Sequence, residues 1–249
     1  MNCYVEHYEI SSHDVDSNNN VRPSIVARLF QETANHQMRD RGPTYYELFS
    51  QGKSYILVRM SCQILKEMHP YDKVDVSTWI SASKGATFKR NYIMTREGQE
   101  VARAYSEWTV VDVNTGNIYR VDEVDYSNYE MDDPIEMTLP IKFHFSKDIS
   151  FEEVGEKIIS YTECDMNKHM NNTFYPDMLF DFVPEPWKRR VTGYVIRFMK
   201  GATLGKTLKV LRAKGDEVMN DGSNPEECWY FKTLVDGNVN VEAMVNCKF

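Results

Sequence analysis

The sequence predicts an α+β protein: two copies of one unit in tandem, each a long helix wrapped by a curved antiparallel sheet. Three observations point there. An internal repeat relates the two halves of the chain, each copy leads into helix-like apolar spacing, and each helix is followed by β-rich runs with a glycine turn at the matching place.

The repeat sets residues 8–24 against residues 157–173. Ile10 meets Ile159, Ser11 meets Ser160, Asp16 meets Asp165, Asn18 meets Asn167, Asn20 meets His169 and Ser24 meets Thr173. Apolar residues then recur at helical spacing, as Ile25, Val26, Leu29 and Phe30 in the first copy and Phe174, Tyr175, Met178, Leu179 and Phe182 in the second. Polar residues before each run, and Pro23 in the first turn of one, are helix start signals. The first helix is apolar on more than one face, as a helix enclosed by a sheet must be. Strands are predicted over 55–64, 74–80, 88–95 and 101–111, then over 194–199, 206–212, 228–235 and 239–247, with turns at Glu97-Gly98 and Asp236-Gly237. The acidic, turn-rich stretch between the copies divides the chain into a module at 1–130, a linker at 131–150 and a second module at 151–249.

Composition excludes several function classes. A net charge of −8 with scattered Lys and Arg offers no nucleic-acid stripe. A local basic patch for an acidic partner is still available at Lys84, Lys89 and Arg90, or at Lys188-Arg189-Arg190. No apolar run reaches the roughly 18 residues of a membrane helix, and the start of the chain lacks the basic and apolar blocks of a secretory signal. The expectation is a soluble cytoplasmic protein that does not engage membrane. Five scattered cysteines have neither zinc-ligand nor CxxC spacing and predict reduced thiols and no metal site.

The copies diverge where chemistry could sit. Asp16-x-Asn18-x-Asn20 in the first becomes Asp165-x-Asn167-x-His169 in the second, and only the second has a group that titrates near neutrality. A carboxylate, an amide and an imidazole beside a helix start are the parts of an acyl-transfer site, with backbone N–H groups near Asn171 and Asn172 as oxyanion donors. Asp and Asn before a helix also serve as ordinary caps. On spacing alone capping is the stronger explanation for them, and His169 is the residue it does not explain. Cys164 is expected to be a core thiol, and Gly201 to Thr207 a strand connection, one residue short of a phosphate loop.

Several segments resemble acyl-ACP thioesterases, the plant fatty-acyl type and its bacterial relatives. They are Tyr8-Glu9-Ile10 with Asp14 and Asp16, Asn19-x-Val21-x-Pro23-Ser24, Leu29-Phe30-Gln31-Glu32-Thr33-Ala34, the run from Ser106 to Gly116, and Asp165-x-Asn167-x-His169-x-Asn171-Asn172. The resemblance implies a tandem (double) hotdog fold with the acyl chain between sheet and helix. It implies a thioesterase of fatty acid biosynthesis that hydrolyses fatty acyl-ACP to free fatty acid and holo-ACP, with acyl carrier protein as partner. Asp165, Asn167 and His169 take the catalytic positions, and no metal or organic cofactor is implied. A monomer (a pseudo-dimer) or a homodimer would each satisfy the fold. The chain departs from the plant pattern in one place: a Glu-Cys pair found there on a later strand has only Met199-Lys200-Gly201-Ala202 as its counterpart. Alternative functions are an acyl-CoA thioesterase, a non-catalytic acyl-binding protein, and a dehydratase with Glu32 facing His169. Leu29, Tyr55, Leu57, Met60 and Trp79 are the candidate lining of the acyl cavity.

Overall fold

The computed structural model describes residues 2–146, 148–216 and 226–249. In chain order the elements are β1 (Tyr4–Glu9), α1 (Pro23–Arg41), α2 (Tyr45–Ser50), β2 (Lys53–Ile64), β3 (Lys73–Lys84), β4 (Thr87–Arg96), β5 (Gln99–Asp112) and the two-residue β6 (Ile118–Tyr119). The second half adds β7 (Glu152–Ile158), α3 (Tyr175–Asp181), β8 (Arg190–Phe198), β9 (Thr207–Lys214), β10 (Glu227–Val235) and β11 (Asn238–Lys248).

Among the described residues these strands make one sheet, ordered β1-β3-β4-β5-β2-β8-β11-β10-β9-β7, with β6 beside β5. From either edge inward the order is that of one five-stranded unit, β1-β3-β4-β5-β2 or β7-β9-β10-β11-β8. The repeat in the sequence is thus a repeat of topology. The units meet where β2 and β8 pair antiparallel, from Arg59 opposite Arg197 to Gln63 opposite Gly193. Both sequence-predicted hairpin turns have two residues at positive φ, Glu97 (51°) and Gly98 (73°), and Asp236 (49°) and Gly237 (74°). That is the signature of the type I′ turn, whose twist matches that of the strands. Each hairpin also shifts register just before its turn, at Met94/Thr95 and at Thr233/Leu234.

The helices are unequal. α1 has 19 residues and buries Ile25, Val26, Ala27, Leu29, Phe30, Thr33, Ala34, Gln37 and Met38 against the concave face of the first unit. α3 has seven residues and follows a 3₁₀ turn at Asn172–Phe174. The start of α1 has no side-chain cap of its own. Asp177 of α3 provides one from the other half: its Oδ1 accepts the Ser24 N–H at 2.8 Å, its Oδ2 accepts the Ser24 hydroxyl, and Arg22 lies 3.8 Å away. Burial pushes the Asp177 carboxyl up, and the Ser24 hydrogen bonds and Arg22 pull it back.

The segment between the halves runs across the convex face of the sheet as a strap. The Trp79 indole donates to the Asp133 carbonyl at 2.8 Å, the Ile135 N–H donates to Asn91 Oδ1 at 3.1 Å, and Gln63 bonds Thr138. Leu139 packs on Gly193, where a Cβ would lie 2.5 Å from Leu139 Cδ1. With Arg103 of β5 donating to the Glu136 carbonyl at 3.0 Å, the strap crosses β3, β4, β5, β2 and β8 in turn and shields the junction from outside. No helix among the described residues is long and apolar enough to cross a membrane.

Because Asp177 holds the start of α1 from the opposite half, Asp177→Ala is expected to lower unfolding free energy by about 1–2 kcal/mol, the cost of a lost N-cap. Urea titration of wild type and variant would check this; a change within error would mean that the start of α1 is held by packing alone.

Candidate active site

The two repeat loops share one backbone. In the first, Asp16 Oδ1 accepts the N–H groups of Asn18 (2.8 Å) and Asn20 (3.0 Å), the Asp16 N–H reaches the Asn20 carbonyl (2.8 Å), and Asn19 has φ 66°. In the second, Asp165 Oδ1 accepts from Asn167 (2.9 Å) and His169 (3.4 Å), the Asp165 N–H reaches the His169 carbonyl (2.8 Å), and Lys168 has φ 63°. A pair of bridges, Val15 to Val21 and Cys164 to Met170, closes each loop. One oxygen of Asp165 thus does the turn-forming work that its counterpart does in the first loop. The other oxygen has no protein donor among the described residues.

The asparagines of the two loops reach across to the opposite half in opposite senses. Asn18 donates its Nδ2 to the Trp187 carbonyl at 2.8 Å. Asn167 accepts, through Oδ1, the Tyr45 hydroxyl at 3.1 Å. The Asn167 amide is thereby oriented with both N–H donors left open among the described residues, whereas Asn18 spends one of its two on Trp187. Tyr45 is the first residue of α2, whose start is fixed by a capping box between Thr44 and Glu47. Nothing in the spacing of the sequence ties Tyr45 to the 165–172 loop, and sequence reasoning missed it.

His169 lies against Gly201. A Cβ at Gly201 would stand 2.3 Å from His169 Cδ2 and 2.7 Å from Nε2, a clash with the ring itself. The loop is stitched to the same segment by a bridge from His169 to Thr203 and by the Met170 N–H on the Ala202 carbonyl at 2.8 Å. Gly201 to Lys206 lies in the connection from β8 to β9, and Thr207 opens β9. The imidazole takes the space that a side chain at position 201 would need, which is a physical reason for the missing Glu-Cys pair. No hydrogen bond between the His169 ring and another protein group is present among the described residues.

A cavity of about 790 Å³ joins the loop to the first unit. Asp165, Asn167, His169, Asn171 and Asn172 line it, with Gly201 and Asn240 beside them and Ala34, Met38, Leu57, Ile80 and Phe88 farther in. All three predicted catalytic side chains therefore share one space. Of the guessed lining residues, Tyr55 and Leu57 line it and Leu29, Met60 and Trp79 do not. Trp79 has the outward parity of β3 and sits under the strap. The Asn171 N–H is not a free oxyanion donor: it donates to the Glu163 carbonyl at 2.8 Å, while the Asn171 side chain caps Thr173. Asn172 opens the 3₁₀ turn, where an N–H has no acceptor within the turn. Cys164 lies outside the cavity, with its thiol 3.5 Å from the Ser160 carbonyl. Glu32 does line the cavity, but His36 sits 3.2 Å from it and 3.1 Å from Glu6. No group of three His, Cys, Asp or Glu among the described residues is arranged to hold a metal.

Of the basic groups proposed for an acidic partner, four of the six are paired or buried, and Lys84 and Lys89 have no ion pair among the described residues. Lys188, Arg189 and Arg190 pair with Glu185 (2.6 Å), Glu227 (2.6 Å) and Glu67 (3.1 Å). Arg90 points inward, buried in the cavity wall.

Residues 1–129 match the profile of the acyl-ACP thioesterase N-terminal domain and residues 147–247 that of the acyl-ACP thioesterase C-terminal domain. An oleoyl-acyl carrier protein thioesterase 2, chloroplastic, from Arabidopsis thaliana is 22% identical over 199 residues, 73% of this chain and 54% of that protein. A palmitoyl-acyl carrier protein thioesterase, chloroplastic, from Gossypium hirsutum is 21% identical over 253 residues, 94% of this chain and 61% of that protein. The chain thus spans between 54% and 61% of the length of these two relatives. Among solved structures, an acyl-ACP thioesterase from Bacteroides thetaiotaomicron superposes with a TM-score of 0.83 at 18% identity, covering 99% of this chain and 98% of that one. The 12:0-ACP thioesterase from Umbellularia californica gives 0.83 at 16% identity, covering 99% and 94%. These likenesses establish the tandem hotdog fold. With both domain profiles matched along nearly the whole chain, the protein belongs to the acyl-ACP thioesterase family.

Proposed function

We propose that the chain hydrolyses a fatty acyl thioester borne on the phosphopantetheine arm of acyl carrier protein, releasing free fatty acid and holo-carrier. The observation that supports this most is the shared space: a carboxylate, an oriented amide and an unpartnered imidazole open onto a cavity of about 790 Å³ that runs into the first unit. The Asn167 Nδ2, freed by the Tyr45 contact to its Oδ1, donates to the thioester carbonyl. Asp165, through its free oxygen, takes a proton from water as the water oxygen bonds to the carbonyl carbon. The C–S bond then breaks and the sulfur takes a proton from His169, which Asp165 restores through solvent. Gly201 is a positioning residue: its lack of a side chain leaves room for the imidazole beside the strand connection.

Asp165→Asn is the informative change at the carboxylate, because an amide oxygen can still accept the two loop N–H groups while the base is lost. It is expected to lower kcat by about a hundredfold or more with little change in melting temperature, and His169→Ala to do the same. Hydrolysis of one acyl chain on carrier protein and on coenzyme A, compared as kcat/KM, checks the reading. Near-wild-type rates in both variants would remove these residues from the chemistry. A preference for coenzyme A would make the enzyme an acyl-CoA thioesterase, and no release of thiol from either carrier would leave a non-catalytic binder. Gly201→Ala is expected to push the imidazole aside and cost kcat on the order of a hundredfold, with KM little changed.

A further inference from the structure

The part of the cavity between α1 and β4 carries polar groups among its apolar lining, although an alkyl chain has no use for polar groups there. Alternation along β4 sends Phe88, Arg90, Tyr92 and Met94 toward α1, where Tyr92 meets Phe30 at 5.1 Å between ring centroids. Arg90 occupies an inward, core-type position and is only 8% exposed. Its Nη1 donates to Gln37 Oε1 and, at 3.3 Å, to Thr78 Oγ1, and its guanidinium stands 5.7 Å from the Tyr129 ring centroid. Nε and Nη2 have no protein acceptor among the described residues, and no carboxylate pairs with Arg90. Glu130 is bonded to Gln37 and paired with Arg41 at 2.6 Å. Three phenols line the same part, Tyr55, Tyr126 and Tyr129, and none of their hydroxyls has a protein partner among the described residues. Burial raises the Tyr55 and Tyr129 phenols, so both remain neutral donors.

The position fits a chain terminus. Gly201 follows the end of β8, and β8, β2, β5 and β4 are successive neighbours in the sheet. Arg90 is thus three strands away from β8, and the register carries it from Ser106 to Met60 to Ile196, five residues short of Gly201, so the two are separated both across and along the sheet. A plain alkyl tail reaching that point would strip water from a cation and three hydroxyls and give nothing back.

We infer that this part of the cavity binds an oxygen-bearing terminus of the acyl chain, so that the preferred substrate is the monothioester of an α,ω-dicarboxylic acid. Arg90 offers the terminal carboxylate its open edge, Nε and Nη2, which is the geometry of bidentate carboxylate recognition. The phenols of Tyr55, Tyr126 and Tyr129 complete the site. This names the substrate class of the hydrolase proposed above and rests on that reading for its catalytic half only.

Two measurements on the full chain test it. The first compares kcat/KM for carrier-linked decanoyl and for the monothioester of decanedioic acid, extended over matched chain lengths and with an ω-hydroxyl arm. Wild type is expected to favour the dicarboxylic substrate by about tenfold to a hundredfold, the value of one or two charge-assisted hydrogen bonds. Arg90→Met should abolish that preference and Arg90→Lys should keep part of it. The second measurement needs no catalysis: calorimetric binding of decanedioate against decanoate to wild type and both variants. A wild-type preference for the plain chain, or a ratio unchanged in a folded Arg90→Met, overturns the inference while leaving the hydrolase intact. Preference for the ω-hydroxyl arm over the carboxylate overturns the choice of a diacid. Arg90-dependent binding of decanedioate without any thioester cleavage would instead retain this site and overturn the hydrolase.

Discussion

The pairing of β2 with β8 is the contact on which the rest of the molecule depends. It is a short run of antiparallel partners, yet it turns two five-stranded sheets into one. The cavity belongs mainly to the first unit, whereas the groups able to do chemistry belong to the second. A slip of one residue at this junction would turn each side chain of one strand to the other face. The loop would then sit above the wrong wall. Three further contacts hold the register. Asp177 caps α1 from the opposite half, the strap wedges Leu139 over Gly193 on the outer face, and Gln63 at the end of the junction bonds Thr138. The site is therefore a product of assembly between the halves and has no meaning within either one.

Duplication explains why the two loops look alike and act differently. Asp16 and Asp165 both fold their loops by accepting backbone N–H groups, and both following asparagines reach into the other half. The difference lies in the direction of one hydrogen bond. Asn18 meets a carbonyl and must donate, so one of its two N–H groups is spent on a structural tie. Asn167 meets a phenol and accepts, so its donors face the cavity. Replacing Asn20 with His169 at the end of the loop then adds an imidazole against Gly201, whose missing side chain leaves room for it.

Much of the fold was legible because it is periodic. Alternation and turn chemistry are local properties, so strands, hairpins and the repeat itself could be read from spacing, and the repeat singled out His169. What the sequence concealed was tertiary. Tyr45 and Gly201 matter only through residues more than thirty positions away. Asn171 looked like an oxyanion donor until its N–H was seen on Glu163. Arg90 is different, because its signal was present. Grouped with Lys84 and Lys89 by charge it looked like surface, but its parity with Phe88, Tyr92 and Met94 already placed it inside. Where charge clustering and strand alternation disagree, alternation is the stronger constraint, since a strand cannot rotate one side chain to the other face.

The unequal helices account for there being a large cavity in one unit and not in its copy. At about 1.5 Å per residue α1 extends for roughly 28 Å and α3 for roughly 10 Å. A long helix can stand off the sheet along part of its length while its ends stay anchored, one by Asp177 and the other near Arg41 and Glu130. The short helix cannot, and the chain that leaves it folds straight back: Phe182 packs on Gly155 of β7, where a Cβ would lie 2.7 Å from its ring. One copy thus contributes the container and the other the reactive loop, and neither could have taken the other's role without losing its helix length or its histidine.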